Sequence, residues 1–223
     1  VRRDTFTELD GFSQDFRKPS IEDIEFGTRL CRSGYRIRLL KDMQGQHLKR
    51  WAFLDTVRTD IFQRAIPWMS LVLRDGQVTN DLNLSYKSRI ATLLAGVLGL
   101  IVFSFAVAGH VSALAPSIAF LLSCAICGFA SVPANRHRGM RIAAITLAIL
   151  SPIVSYWLIR DPWALLPMAV VLAIAATHLA FYQYVTRKRN VAFAFGVIPM
   201  QVVFFIGCGV SIPLALISHH LNR

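Results

Sequence analysis

The sequence predicts a short α/β segment, then an amphipathic interfacial helix, then an all-α transmembrane bundle of about five helices. Three observations carry this. Residues 20–51 read as a helix, a glycine turn and a strand. Residues 54–72 repeat apolar side chains at helical spacing, with a charged opposite face. From about residue 90 the chain holds five apolar runs, each long enough to cross roughly 30 Å of hydrocarbon as a helix. Composition agrees: 54% hydrophobic residues and a mean hydropathy of +0.48 are too apolar for an ordinary soluble domain.

Charge distribution excludes one class of function. The net charge of +11 resembles a nucleic-acid signature until it is divided. Residues 1–89 hold 16 Lys/Arg against 12 Asp/Glu, whereas residues 90–223 hold 8 Lys/Arg and a single acid, Asp161. The excess therefore lies between apolar runs, where the positive-inside rule places it, and no basic-aromatic face of useful size is present. The four cysteines imply no disulfide framework. Cys124 and Cys127 form a C-x-x-C inside an apolar run without flanking ligands, which reads as small packing residues. The chain opens Val1-Arg2-Arg3-Asp4 with neither an initiator Met nor an apolar leader, and its first residues read as mid-domain sequence. It is expected to be part of a longer protein.

Residues 1–19 are mixed, with Phe6, Leu9, Phe12 and Phe16 as apolar anchors and Asp10-Gly11 as a turn. Ser20 is placed to cap a helix whose first turn carries Glu22, Asp23 and Glu25, where the helix dipole favours negative charge. Ile24, Gly27, Leu30 and Cys31 share one face, and Gly34 stands where a helix-ending glycine is expected. Tyr35-Arg36-Ile37-Arg38-Leu39 alternates with period two, a half-buried strand. A loop leads to the basic-aromatic cluster His47-Leu48-Lys49-Arg50-Trp51.

Leu54, Val57, Ile61, Ala65, Trp68 and Val72 form the apolar stripe of the next helix, which Pro67 is expected to kink or break. Its Arg and Trp content suits either the lipid–water interface or packing on the preceding segment. Arg74–Arg89 is a polar connector. The spans are expected near 90–109, 113–133, 141–159, 162–182 and 191–217. Connector charges alternate: none at 110–112, then Arg136, Arg138 and Arg141, then Arg160 beside Asp161, then Arg187-Lys188-Arg189. The basic connectors fall on the side of residues 1–89, which the rule makes cytoplasmic. Apart from boundary residues such as Arg141 the runs carry no Asp, Glu, Lys or Arg, which disfavours an ion-coupled transporter. His178 is the one titratable side chain deep in a run, and helix packing is its simplest role.

Taken singly, the acidic pair is an ordinary first turn and the cluster a solvated loop. Taken in order, the segments resemble membrane-bound family-2 glycosyltransferases. Arg2-Arg3-Asp4 through Asp10-Gly11-Phe12 is similar to their arginine-rich stretch ending in Gly-Gly-Phe, with Asp10 for one glycine. Glu22-Asp23-Ile24-Glu25-Phe26-Gly27 resembles their Glu-Asp motif. His47-Leu48-Lys49-Arg50-Trp51 resembles their Gln-x-x-Arg-Trp motif, with His for Gln. Ile198-Pro199 and the Phe-Phe/Gly-rich run after it are similar to the last helices of such enzymes.

The resemblance implies inverting transfer of a sugar from a nucleotide-diphosphate donor to a lipid or glycan acceptor. Asp23 would be the general base and Glu22 would orient it. Arg50 would bind the diphosphate, His47 the diphosphate or a divalent ion (Mg or Mn), and Trp51 a sugar. Residues 1–51 would be the C-terminal part of the catalytic domain, 52–89 the interfacial helix and connector, and 90–223 the membrane domain. A bacterial plasma membrane with residues 1–89 cytoplasmic is the implied location. No Asp-x-Asp occurs, and nothing matches the nucleotide-binding half, so these residues alone would be inactive and would need a preceding half or a partner chain. The His replacement favours a single-addition enzyme over a processive one. The rival is a non-catalytic membrane subunit or degenerate paralogue that kept the scaffold.

Overall fold

The computed structural model describes residues 1–16, 20–38, 40, 42–43, 45, 48, 52–76, 80, 84–131 and 138–221. It divides into two compact units, Val1–Val78 with Val210–Arg223, and Thr79–Gly209. Every regular element among the described residues is helical.

The first unit begins with α1 (Arg3–Glu8), which ends in a left-handed turn with φ of +57° at Asp10 and +63° at Gly11. The Gly11 N–H donates to the Phe6 carbonyl at 2.9 Å, and a Cβ on Gly11 would lie 2.9 Å from the Phe6 ring. Glycine is required there on both counts. The turn carries Phe12 back against Phe6 and Phe26, with ring centroids 5.2–5.5 Å apart.

Helix α2 (Glu22–Arg32) follows. Its C-terminus is as the sequence indicates: Gly34 has φ +84°, its N–H donates to Cys31, and the Tyr35 N–H donates to Leu30. This is a Schellman closure. The other end differs from expectation. Ser20 is not the cap; Ile21 holds that position without a side-chain hydrogen bond. The Ser20 hydroxyl instead donates to the Gln63 carbonyl. Gln63 lies four residues before Pro67, so its carbonyl is the one Pro67 cannot serve, having no N–H. The buried face also differs: Glu25, Phe26 and Leu30 are buried and Cys31 is exposed.

The strand expected at Tyr35–Leu39 is not formed. Tyr35–Arg38 make no ladder, Ile37 is 63% exposed, and Leu39 lies outside the described residues. An alternating pattern becomes a strand only when another strand pairs with it, and the described residues provide none. Among the described residues the α/β character expected of this segment is therefore not found; they form helix and irregular loop.

Helix α3 (Phe53–Arg58) runs through a π-helical turn (Thr59–Ala65) into α4 (Ile66–Asp75), which ends at Gly76 with φ +63°. Pro67 does not break it; it falls in the first turn of α4, directly after the π turn, where a missing N–H is tolerated. Phe53, Leu54 and Phe62 are exposed, and of α4 only Leu71 is buried. Ser20→Ala leaves the Gln63 carbonyl without its side-chain donor and should cost roughly 1–3 kcal/mol. In a Pro67→Ala background that cost should shrink, because alanine restores a backbone donor at this position. Thermal unfolding of the four proteins in detergent measures this coupling, and equal costs in both backgrounds would contradict it.

The second unit holds α5 (Tyr86–Ala108), α6 (Ala115–Ser131), α7 (Arg138–Ile159), α8 (Leu165–Ala176), α9 (Leu179–Lys188) and residues 191–209 of α10 (Val191–Leu221). Its core gathers Ala91, Ala95, Phe120, Cys124, Cys127, Ala148, Ile174, Val202 and Phe205. Small residues permit close approach where lipid offers no hydrophobic drive. Gly128 of α6 and Gly196 of α10 meet backbone to backbone: a Cβ on Gly128 would lie 3.1 Å from Gly196 Cα, and one on Gly196 would lie 2.6 Å from Gly128 N. Gly196→Ala should therefore destabilise by about 1–3 kcal/mol through overpacking. Gly209→Ala, whose nearest atom is 3.8 Å away, should be tolerated. Unfolding temperatures of the two variants check the contrast.

Among the described residues, four helices are long and apolar enough to cross a membrane: Tyr86–Ala108, Val111–Ser131, Arg138–Ile159 and Val191–Ser218. The expected fourth run differs. It is a broken pair, Pro162–Ala176 and Leu179–Lys188, bent by 68°. At the break the Thr177 hydroxyl bonds the Ile174 carbonyl at 2.7 Å and lies 2.6 Å from His178 Nδ1, while the His178 N–H bonds Ala175, three residues back. Local side-chain bonding competes with the helical ladder at this point.

Candidate functional site

Glu22 and Asp23 form the first turn of α2, which the Schellman closure ends and the burial of Phe26 and Leu30 anchors. Consecutive helical residues point about 100° apart, so the two carboxylates face different surroundings. Glu22 is half-buried, and its Oε2 accepts the Ser20 N–H at 2.6 Å. It thereby fixes the segment entering the helix. Asp23 is exposed, and its Oδ1 accepts the adjoining Ile24 N–H at 2.9 Å.

Asp23 also lines a cleft of about 400 Å³, walled by Phe6, Phe12, Phe26, Gly27, Leu30, Ile37 and Val1. Among the described residues its carboxylate is the one ionisable side chain on that wall. An acid at the edge of an apolar, aromatic-lined hollow can meet the polar end of a ligand whose remainder is hydrocarbon. The three aromatic rings supply apolar area with little side-chain entropy to lose.

Behind the cleft lies a charged network that sequence reasoning missed. Glu25, 5% exposed, is held by Arg29 through both oxygens, at 2.8 and 3.0 Å. The same guanidinium donates to the carbonyls of Leu9 and Gly11. One side chain thus ties the α1 turn to α2. Arg74 of α4 approaches Glu25 at 3.9 Å, Asp15 at 3.8 Å and Asp75 at 3.0 Å, and Arg32 pairs with Asp75 at 3.3 Å. The i,i+4 spacing of Glu25 and Arg29 was the available signal. Nothing in the sequence indicated that the pair would be buried.

The structure places Asp23 at the cleft and Glu22 beside it. His47, Arg50 and Trp51 lie outside the described residues. Among the described residues no three His, Cys, Asp or Glu side chains converge on a point that could hold a metal ion. Cys124 and Cys127 are buried in the α6 packing surface, and none of the four cysteines forms a disulfide. No family model, no curated protein and no solved structure matches this chain.

Proposed function

We propose that this chain carries the acceptor side of an inverting, membrane-bound glycosyltransferase that moves a sugar from a nucleotide-diphosphate donor to the hydroxyl of a lipid acceptor. The observation that carries the reading is Asp23 on the wall of an otherwise apolar, aromatic cleft. A hydroxyl attached to a hydrocarbon chain suits that surface: the chain occupies the phenylalanine-lined hollow and the hydroxyl meets the carboxylate. The left-handed φ of Asp10 beside Gly11 further supports the resemblance to a Gly-Gly-Phe turn, because glycine is favoured at both positions.

In this reading Asp23 accepts the acceptor's hydroxyl proton as the oxygen bonds to the anomeric carbon. The bond from that carbon to the diphosphate breaks, its electron pair leaves with the phosphate oxygen, and the configuration inverts. Glu22 positions the entering segment through Ser20. Arg50 offsets charge on the leaving diphosphate, His47 hydrogen-bonds it, and Trp51 supports a sugar ring. The exposed apolar residues of α3 and the π turn hold the site at the bilayer surface, on the side of the basic connectors. A bacterial plasma membrane is the setting.

The test is direct. Membranes containing the protein in its natural full-length context are incubated with radiolabelled nucleotide-diphosphate sugars, and label extractable into organic solvent is compared with membranes lacking the gene. A donor-specific labelled lipid is expected. Equal labelling with and without the gene, for every donor offered, would favour the non-catalytic subunit.

A further inference from the structure

Helix α2 carries at its centre a glycine that its own packing does not require. Gly11 and Gly34 are fixed by positive φ, whereas Gly27 has ordinary helical backbone. An ideal Cβ at Gly27 would meet a single atom of the described residues within 4 Å, Ile37 Cδ1 at 3.4 Å, a normal van der Waals contact. Alanine would fit there. Glycine inside a helix is the less stable choice, because it loses more backbone freedom on folding. Its presence leaves space open rather than relieving a clash.

That space belongs to the cleft. Asp23, Gly27 and Leu30 stand at i, i+4 and i+7 of α2, on one helical face, and all three line it. One turn, about 5.4 Å, separates positions 23 and 27 along the helix. Helical Cα–Cβ bonds tilt toward the N-terminus, so a side chain at 27 would lean toward Asp23. Exposed Ile37 flanks the same place from the loop after α2. A hydroxyl that meets the Asp23 carboxylate therefore brings its neighbouring carbons over Gly27. A slender chain can lie against the glycine backbone with Ile37 Cδ1 at its side. A branch on that chain, or a Cβ on residue 27, claims the same volume.

We propose, resting on the reading of Asp23 as the base that takes an acceptor's hydroxyl proton, that Gly27 is the specificity-determining residue of the cleft. It admits a primary alcohol whose hydrocarbon is unbranched beside the hydroxyl and excludes one branched there. A hydrophobic site discriminates a single misplaced methylene by roughly 10- to 200-fold, which sets the size of the effect.

The test uses membranes containing the protein in its natural full-length context. A photoreactive primary alcohol with a diazirine on a linear chain is crosslinked, and adducts on the segment bearing Asp23 and Gly27 are quantified by mass spectrometry. Dodecanol and its isomer branched beside the hydroxyl-bearing carbon compete. Saturable labelling is expected, with dodecanol the better competitor by roughly 10-fold or more. Gly27→Ala should raise the unfolding temperature by roughly 1–4 °C yet weaken dodecanol binding by roughly 10- to 200-fold. Ile37→Ala should admit the branched isomer, and in the Gly27→Ala background it should recover dodecanol binding. Parental dodecanol binding by Gly27→Ala, or no preference between isomers in the parent, overturns the assignment and leaves the cleft an acceptor site. Lost binding with a lowered unfolding temperature overturns it too, by giving the glycine to the fold. No saturable labelling of the parent overturns both the assignment and the acceptor site. No sugar donor is present, so failure of the transfer reading alone leaves the role of Gly27 standing.

Discussion

Asp23→Asn is expected, on the proposed glycosyltransferase reading, to lower sugar transfer by roughly 100- to 10,000-fold, the range for losing a positioned general base. The substitution isolates the proton-accepting role. Asn keeps an oxygen that can accept the Ile24 N–H, the hydrogen bond Asp23 makes within the helix turn. Asp23 is also exposed, so no buried packing is disturbed, and stability should change by less than about 0.5 kcal/mol. Membrane insertion and unfolding temperature should therefore match the parent while turnover collapses. Because the loss lies in the proton transfer, it should appear in kcat more than in KM for the acceptor. Transfer at the parental rate would remove Asp23 from the mechanism. Glu22→Gln should be milder, since the amide oxygen can still accept the Ser20 N–H.

The largest stability effect is expected at a residue with no proposed chemical role. Arg29→Leu should destabilise the first unit by about 3–5 kcal/mol, because it leaves the Glu25 carboxylate, 5% exposed, without its bidentate partner. Arg74, at 3.9 Å, is too distant and too exposed to replace it. The carbonyls of Leu9 and Gly11 lose a donor as well, so the α1 turn should loosen from α2. Replacing both partners, as Glu25→Leu with Arg29→Leu, should recover a good part of the loss by removing the buried charge. Chemical unfolding of the single and double variants, followed by circular dichroism in detergent, distinguishes the two. A double variant less stable than the single would show that the orphaned carbonyls, not the carboxylate, dominate. Because the α1 turn carries Phe6 and Phe12 to the cleft, Arg29→Leu should also weaken binding of an apolar ligand there.

Legibility in this sequence follows the range of the interaction. The C-terminus of α2 needed only Gly34 and its two neighbours, so a glycine at the right spacing revealed it. The start of the same helix was misread by one residue: Ile21 is the N-cap, and Ser20 just outside it donates its hydroxyl to the Gln63 carbonyl, 43 residues away. The alternation at Tyr35–Leu39 implied a strand, but a strand is a property of two segments, and the described residues offer no partner. Asp23 and Glu22 could be singled out by type and position. That Asp23 faces an aromatic cleft depended on Phe6, Phe12 and Ile37 converging from either side of it in the chain.

By itself the sequence determined the apolar runs, the helix that presents the acidic pair, and the glycine that ends it. Each follows from composition or from spacing within a few residues, where hydropathy, backbone sterics and the helical period act locally. Only the tertiary structure decided that Glu25 is buried on Arg29, that Ser20 serves Gln63, that Gly128 meets Gly196, and that the fourth apolar run bends by 68° at Thr177–His178. In each case the deciding free energy belongs to a pair: a charge and its counter-charge, a freed carbonyl and its donor, two backbones in contact, a side chain and the carbonyl it diverts from the ladder. A linear pattern gives the members of such pairs, and folding selects which of them meet.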